Sequence, residues 1–202
     1  MGWLEPVRLE GQHVVLEPLA HEHLDELRVA AADETIFSHL TVSLGTAEAM
    51  ASWYDQATEA ALRHEALAFV TRRRADGRLV GSTRYMNAVP AHRRVEIGWT
   101  WLMRDAWGGP LNVETKILLL GHAFERLGAH RVEFRTDLLN VRSQAAIAAL
   151  GATKDGVFRR HMIVRAGRVR DTVQYAIIDE EWPAIRRALE ARLAEKAARA
   201  PA

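Results

Sequence analysis

Three strand-like runs in close succession constrain this chain more than any other feature. Residues 67 to 73 (LAFVTRR), 78 to 88 (RLVGSTRYMNA) and 93 to 102 (RRVEIGWTWL) follow one another, with Ala75-Asp76-Gly77 turning the first into the second. Strand-like periodicity broken by so short a connection leaves only an antiparallel pairing. HVVLEPL (13 to 19) reads as a strand before them, followed by two stretches with helical spacing. The first, 21 to 33, carries Leu24, Leu27 and Ala31 on one side; the second, from Thr46 to about His64, turns Met50, Trp53, Tyr54, Ala57 and Ala61 inward. After residue 102 comes a helix with Ile117, Leu120, Phe124 and Leu127 on one side and a stop at Gly128, then a strand at 131 to 137. A helix from Asn140 to Leu150 stops at Gly151, strands are expected near 156 to 164 and 168 to 178, and a last helix begins near Asp179, with Pro183 in its first turn. The class is α+β: a mixed, mostly antiparallel sheet flanked by helices. The expected organisation is one domain over residues 1 to 202, with a tail that frays from about residue 195.

Composition narrows the function. With 27 Lys and Arg against 26 Asp and Glu in 202 residues, the chain lacks the basic excess that general binding to nucleic acid or to an anionic membrane requires. No segment approaches the roughly 20 apolar residues of a bilayer span. Cysteine is absent, which removes disulfides, thiolate metal sites and a cysteine nucleophile together. Charged and turn-forming residues occupy the start, MGWLEPVRLEGQ, where a signal peptide has its apolar run. These features predict a soluble, cytoplasmic protein without a metal.

The stretch RDAWGGPLNVETKILLLGHAFERLG (104 to 128) sets two glycines and a proline against the start of an apolar helix. The first amides of a helix have no partner within it and lie at its positive end, so a diphosphate placed there gains several hydrogen bonds and roughly half a unit of positive charge. Gly108 and Gly109 allow the backbone to come close to such a ligand. The same turn is also an ordinary way to start a helix.

EIGWTWLMRDAWGG, followed by HAFERLGAHRVEFRTDLLNVRSQAAIAALGA, resembles the GNAT superfamily of acyl-coenzyme A N-acyltransferases, and within it the Rim-type branch that acetylates ribosomal protein N-termini. The likeness spans about residues 8 to 182 and rests on the order and spacing of its motifs. It implies a GNAT-type fold and acetyl-CoA as cosubstrate. It also implies an amine acceptor, either a protein N-terminus or a small amine, and attack from a ternary complex, with a homodimer as one possible assembly. By position the resemblance gives the coenzyme diphosphate to Trp107, Gly108, Gly109, Leu111, Asn112 and Val113. It gives the pantetheine arm to Asn140 and to the strand end near Leu102. Pro110 stands where the family commonly has glycine and has no amide hydrogen to donate. Asn112 and Lys116 are candidates for replacing that contact, against the plainer reading of Lys116 as a solvated helix residue.

Acyl transfer needs a neutral amine, hence a base. Alternation along VEIGWTWL sets Glu96, Gly98 and Thr100 opposite Val95, Ile97, Trp99 and Trp101, so the Glu96 carboxylate points away from the bulky face. The resemblance gives Glu96 the role of base; the plainer reading is a surface strand residue. A backbone amide near Thr100 to Leu102 is the expected oxyanion donor. Many relatives carry a tyrosine acid where this chain has Ile147, and Ser143 matches the serine that stands in that role in the Rim-type branch. Asn140 also suits a plain helix N-cap. Pro110 and Ile147 leave open a coenzyme-binding or regulatory module without turnover, and the acyl group can be larger than acetyl, such as succinyl.

Other features have simpler explanations. Arg72-Arg73-Arg74 precedes a turn and reads as a solvated hairpin end, His21-Glu22-His23 has the wrong spacing for a metal pair on a helix, and His161 reads as a half-exposed strand residue. No phosphate-binding Gly-x-x-x-x-Gly-Lys run is present.

Overall fold

The computed structural model describes residues 3 to 199. Eight strands form one sheet in the order β1-β2-β3-β4-β5-β6-β8-β7: β1 (Leu9–Glu10), β2 (Val14–Pro18), β3 (Leu67–Arg73), β4 (Leu79–Val89), β5 (Arg94–Leu102), β6 (Arg131–Asp137), β7 (Thr153–Ile163) and β8 (Val169–Ile178). Every neighbouring pair is antiparallel except β5 and β6. That parallel pair is joined through α3 (Leu111–Gly121), as a crossover connection requires. α1 (Leu24–Ala30) and α2 (Ala47–Leu62) pack on one face with an apolar cluster that includes Leu27, Phe37, Met50, Trp53 and Trp101. α3, α4 (Val141–Ala148) and α5 (Trp182–Arg199) bury a larger cluster on the other, among it Tyr85, Ile97, Leu119, Val132, Ile147 and Leu189.

Most elements fall where their periodicity puts them. Thr46 caps α2, its hydroxyl accepting the Ala49 amide at 3.2 Å, and of the expected inner stripe Met50, Trp53 and Ala57 are buried while Tyr54 and Ala61 are only partly so. Gly128 and Gly151 take φ of +61° and +92° at the ends of their helices. Three differences have physical causes. Residues 21 to 33 do not form one helix: a 3-10 turn at His21–His23 precedes α1, which ends at Ala30. The helix expected to run to Gly128 opens into a π-helical turn at His122–Arg126, where the Tyr85 hydroxyl enters from β4 and donates to the Leu119 carbonyl. A side chain that inserts into the helical ladder in this way widens it. The C-terminal segment does not fray from residue 195; α5 continues to Arg199, with Lys196 Nζ donating to the Gly108 carbonyl.

Two irregularities in β5 shape the centre of the sheet. Its pairing with β6 covers only Arg94, Val95 and Glu96, opposite Arg131, Val132 and Glu133, after which the strands part. Its pairing with β4 slips between Ser82/Trp101 and Arg84/Gly98, so Trp99 and Thr100 together face Thr83, and Trp99 takes φ of +50°. This is a β-bulge, which bends and twists a strand more sharply than the regular ladder does. The bulge overturns the expected alternation. Thr100 lies on the face of Val95 and Ile97, bonded to Thr83 at 2.8 Å, whereas Trp99 and Trp101 join the α1–α2 cluster on the face that carries Glu96.

Candidate functional site

The parting of β5 from β6 leaves the β6-facing backbone of Ile97 to Leu102 without a strand partner. On the α3 side of that gap the glycine turn meets the start of α3. Pro110 is the N-cap, in helical φ and ψ, and no side chain caps the helix. The Glu114 amide bonds to the Pro110 carbonyl at 3.0 Å, so the amides of Leu111, Asn112 and Val113 are the ones without an intrahelical acceptor. Gly108 takes φ of +78°, a conformation side chains disfavour, and a Cβ at Gly108 or Gly109 would meet nothing within 4 Å. The turn is an open cradle of backbone.

Trp107 anchors it. Its indole nitrogen donates to the Leu102 carbonyl at 2.8 Å, so the buried Leu102 fixes the turn through its carbonyl. Arg142 lies over the Trp107 ring at 3.7 Å and Arg104 at 5.0 Å. Arg142 sits in the first turn of α4, and this contact brings that helix start to the glycine turn. Asn140 is the N-cap of α4, its Oδ1 accepting the Ser143 amide at 3.0 Å; the Asn140 amide group and the Ser143 hydroxyl remain free of that bond. Ile147 is buried in the larger apolar cluster and offers no proton donor.

Sequence reasoning missed the cations of this cradle. Arg104 is held by Asp33 at 2.7 Å, leaving Arg142 and Lys196 as the neighbouring basic groups, and burial together with Arg104 lowers the Arg142 pKa. Arg142 sits within the motif Asn-Val-Arg-Ser, but its stacking on Trp107 depends on a tertiary contact that no spacing encodes. Lys196 comes from the far end of the chain.

Glu96 lies on the opposite face, at the last paired position before the gap. It is 4% exposed and is therefore no surface residue. The Asn87 side-chain amide donates to it at 2.8 Å and Arg135 lies 3.4 Å away. Desolvation raises its pKa, and the nearby Glu133 pushes the same way, while Asn87, Arg135 and Arg170 oppose them. A carboxylate whose proton affinity burial raises and which a side-chain amide orients suits the role of proton acceptor. Asn87, with φ of +49° in the second irregularity between β4 and β5, carried no sequence signal.

Lys116 is not a solvated helix residue and is not aimed at the anion cradle. It is 6% exposed, and its ammonium donates to Thr100 at 2.8 Å beneath the bulge. Burial lowers its pKa to about 7. Glu114 is also structural: its carboxylate accepts the amides of Gln12, His13 and Val14 at 2.7, 2.6 and 2.7 Å, tying the β1–β2 turn to α3. The three consecutive arginines are engaged as well, Arg72 by Glu17 and Glu26, Arg73 by Asp76, and Arg74 by the Gly11 carbonyl. His161 is on the surface, 3.1 Å from the Thr172 hydroxyl. Among the described residues, no three His, Cys, Asp or Glu side chains gather where they could hold a metal ion, and no helix is long and apolar enough to cross a membrane.

Parted parallel strands beside an uncapped helix start match a known architecture, and residues 13–153 match the family model described as "Acetyltransferase (GNAT) domain". The chain belongs to the GNAT acetyltransferase family. This GNAT protein is 32% identical to a GCN5-related N-acetyltransferase from Brucella melitensis, with a TM-score of 0.87 over 94% of this chain and 86% of that one. RimJ from Mycobacterium smegmatis, solved in complex with CoA-disulfide, matches at 23% identity and a TM-score of 0.78, over 95% of this chain and 94% of the other. Ribosomal-protein-S5-alanine acetyltransferase from Vibrio fischeri matches at 17% identity and a TM-score of 0.72, over 87% and 98%. At those identities the likeness to the two Rim-type proteins is one of fold. No curated protein sequence matches this chain significantly.

Proposed function

We propose that this GNAT acyltransferase moves an acetyl group from acetyl-CoA to a primary amine, a protein N-terminus or a small amine, by direct attack in a ternary complex in the cytoplasm. The observation that carries this reading is the gap between β5 and β6, with an uncapped helix start on one face and a buried carboxylate on the other. In this reading the amides of Gly109, Leu111, Asn112 and Val113, beside Trp107 and Gly108, receive the diphosphate, and Lys196 and Arg142 add positive charge. The pantetheine arm passes between the strands, along the unpaired edge that ends at Leu102, with the Asn140 side-chain amide within the same cleft. An added strand would occupy such an edge in the same manner.

The thioester then lies at the level of the bulge. An amine arriving from the α1–α2 face gives a proton to Glu96, directly or through one water, and its nitrogen attacks the thioester carbonyl carbon. The carbonyl oxygen becomes an oxyanion held by backbone amide in the stretch Thr100 to Leu102. Its collapse breaks the carbon–sulfur bond, and the departing thiolate takes a proton, with the Ser143 hydroxyl of α4 as the candidate donor. The Rim-type fold likeness favours an α-amine acceptor. The test is thiol release from acetyl-CoA with N-terminal peptides, polyamines and other amines. Release with at least one class, abolished by Glu96→Gln, supports the reading; tight coenzyme binding with no release from any amine overturns it.

A further inference from the structure

Arg84 is a charged group beside this site that the transfer chemistry does not use and that, unlike Arg135, has no ion pair among the described residues. It lies on β4 opposite Gly98, on the same face as Met86, which pairs with Glu96; two residues along a strand is roughly 7 Å. It is 6% exposed. Its guanidinium sits over Trp53 of α2 at 5.3 Å and over Trp99 of the bulge at 5.6 Å. Nε and Nη2 are enclosed without any hydrogen-bond partner, Nη1 alone is not enclosed, and among the described residues no carboxylate pairs with it. Burial lowers its pKa to about 10, so it stays charged at neutral pH. A buried guanidinium normally has an acid beside it, because desolvating an unpaired charge is costly, and two aromatic faces offset only part of that cost.

The surroundings have the same imbalance. The indole nitrogens of Trp53 and Trp101 are buried without partners in the apolar cluster between α2 and the sheet. Both are donors only, and no acceptor among the described residues reaches them. A layer with spare donors and one spare positive charge is complementary to a ligand with acceptor oxygens and one negative charge.

We propose that the layer between α2 and strands β4 and β5 holds a carboxylate of the substrate on the Arg84 guanidinium, beside the rings of Trp53 and Trp99. Calling the ligand a substrate rests on the acyltransferase reading. The position fits either of two sources: the distal carboxylate of a dicarboxylic acyl thioester, or a carboxylate of the amine acceptor. Both place an anion near the Glu96 face, and both meet the guanidinium first at Nη1, its one atom that is not enclosed, through a charge-assisted hydrogen bond.

Two arms separate the sources in the full chain. One compares succinyl-CoA with acetyl-CoA on an uncharged amine; the other compares amino acids with their amides as acceptors of acetyl-CoA. The expected result is a preference of about 100-fold in kcat/KM for the carboxylate member of one arm, the scale on which losing one partner of a buried charge pair acts. Arg84→Met is expected to bring that ratio close to one while melting no lower than wild type, since it removes a buried charge that the protein leaves unpaired. Ratios near one in both arms of the wild type, or a ratio that survives Arg84→Met, overturn the proposal. A separate titration of the intrinsic tryptophan fluorescence with succinate and succinamide needs no turnover. If no amine is acylated, the transferase reading fails, and the titration alone decides the carboxylate site: saturable binding of succinate only supports it, and equal or absent responses sink it.

Discussion

Replacing Lys116 with methionine should stabilise the protein at low pH and lose that advantage as the pH rises. The lysine pKa falls from the ordinary 10.5 to about 7 because its ammonium is buried with a single hydroxyl partner, Thr100. A pKa difference of one unit is about 1.4 kcal/mol, so the charged form costs the folded state on the order of 5 kcal/mol below pH 7, where both folded and unfolded chains are protonated. Between pH 7 and 10.5 the unfolded chain holds a proton that the folded chain has released, so stability rises with pH across this window. Above 10.5 the penalty is gone. Methionine keeps most of the stem's packing but gives up the bond to Thr100, which contributes about 1 kcal/mol.

The net effect of Lys116→Met is therefore a gain of about 4 kcal/mol at pH 6, a fall through zero near pH 10 and a loss of about 1 kcal/mol beyond it. Thr100 keeps its bond to Thr83 throughout, so the variant leaves no newly orphaned hydroxyl. Urea denaturation followed by circular dichroism at pH 6, 8 and 10, on wild type and variant together, cancels the contributions of every other titrating group. A variant less stable than wild type at pH 6, or a difference that does not change with pH, would show that the ammonium has a charge partner in the fold and that the burial argument is wrong.

Other expectations follow from the site. Glu96→Gln should lower kcat/KM by about 100-fold or more, with little change in coenzyme affinity. Because burial raises the Glu96 pKa, the wild-type rate should climb with pH along an acidic limb lying above the ordinary carboxylate value of 4.5, and that limb should vanish in the variant; an unchanged pH–rate profile removes Glu96 from the base role. Gly108→Val sets a branched side chain at φ of +78° in the open cradle and should weaken acetyl-CoA binding at least tenfold, about 1.4 kcal/mol, by calorimetric titration. Unaltered affinity would place the diphosphate elsewhere. Glu114→Ala strips three amides of a charged acceptor and should destabilise the fold by about 3 kcal/mol in urea denaturation; a cost below about 1 kcal/mol would mean that water satisfies those amides equally well.

Elements defined by local chemistry were legible in the sequence. The Ala75-Asp76-Gly77 hairpin, the Gly128 and Gly151 stops and the Thr46 and Asn140 caps each follow from residues within a few positions of one another. The glycine turn was legible for the same reason. What could not be read depends on partners far along the chain. Glu114 and Lys116 look like the exposed face of a helix until β1–β2 is laid against one and the bulge against the other. The π-helical turn follows from a tyrosine on β4, and the cation at Gly108 from a helix that begins more than 70 residues later. Alternation along β5 failed for a local reason with no local signal, because Trp99 is an unusual residue to hold a positive φ.

That one bulge connects most of what is distinctive about the site. With strict alternation, Thr100 would face α2 and leave the Lys116 ammonium no hydroxyl to reach, and Trp101 would be driven into the α3 layer. With one extra residue in β5, both tryptophans cross to the face of Glu96 and Arg84. The strand has already parted from β6 after Glu96, and the gap runs on past the bulge. The donor side of the reaction, on α3 and α4, and the acceptor side, beneath α1 and α2, thus meet where β5 and β6 part. A residue held against its backbone preference persists only where the surrounding structure fixes it. Here the cage around Arg84, the Thr83–Thr100 pair and Lys116 all bear on the bulge from its two faces. Occupation of the Arg84 layer by an anion would therefore act on the same backbone that carries the expected oxyanion donors, which gives recognition of a carboxylate a direct physical route to the geometry of transfer.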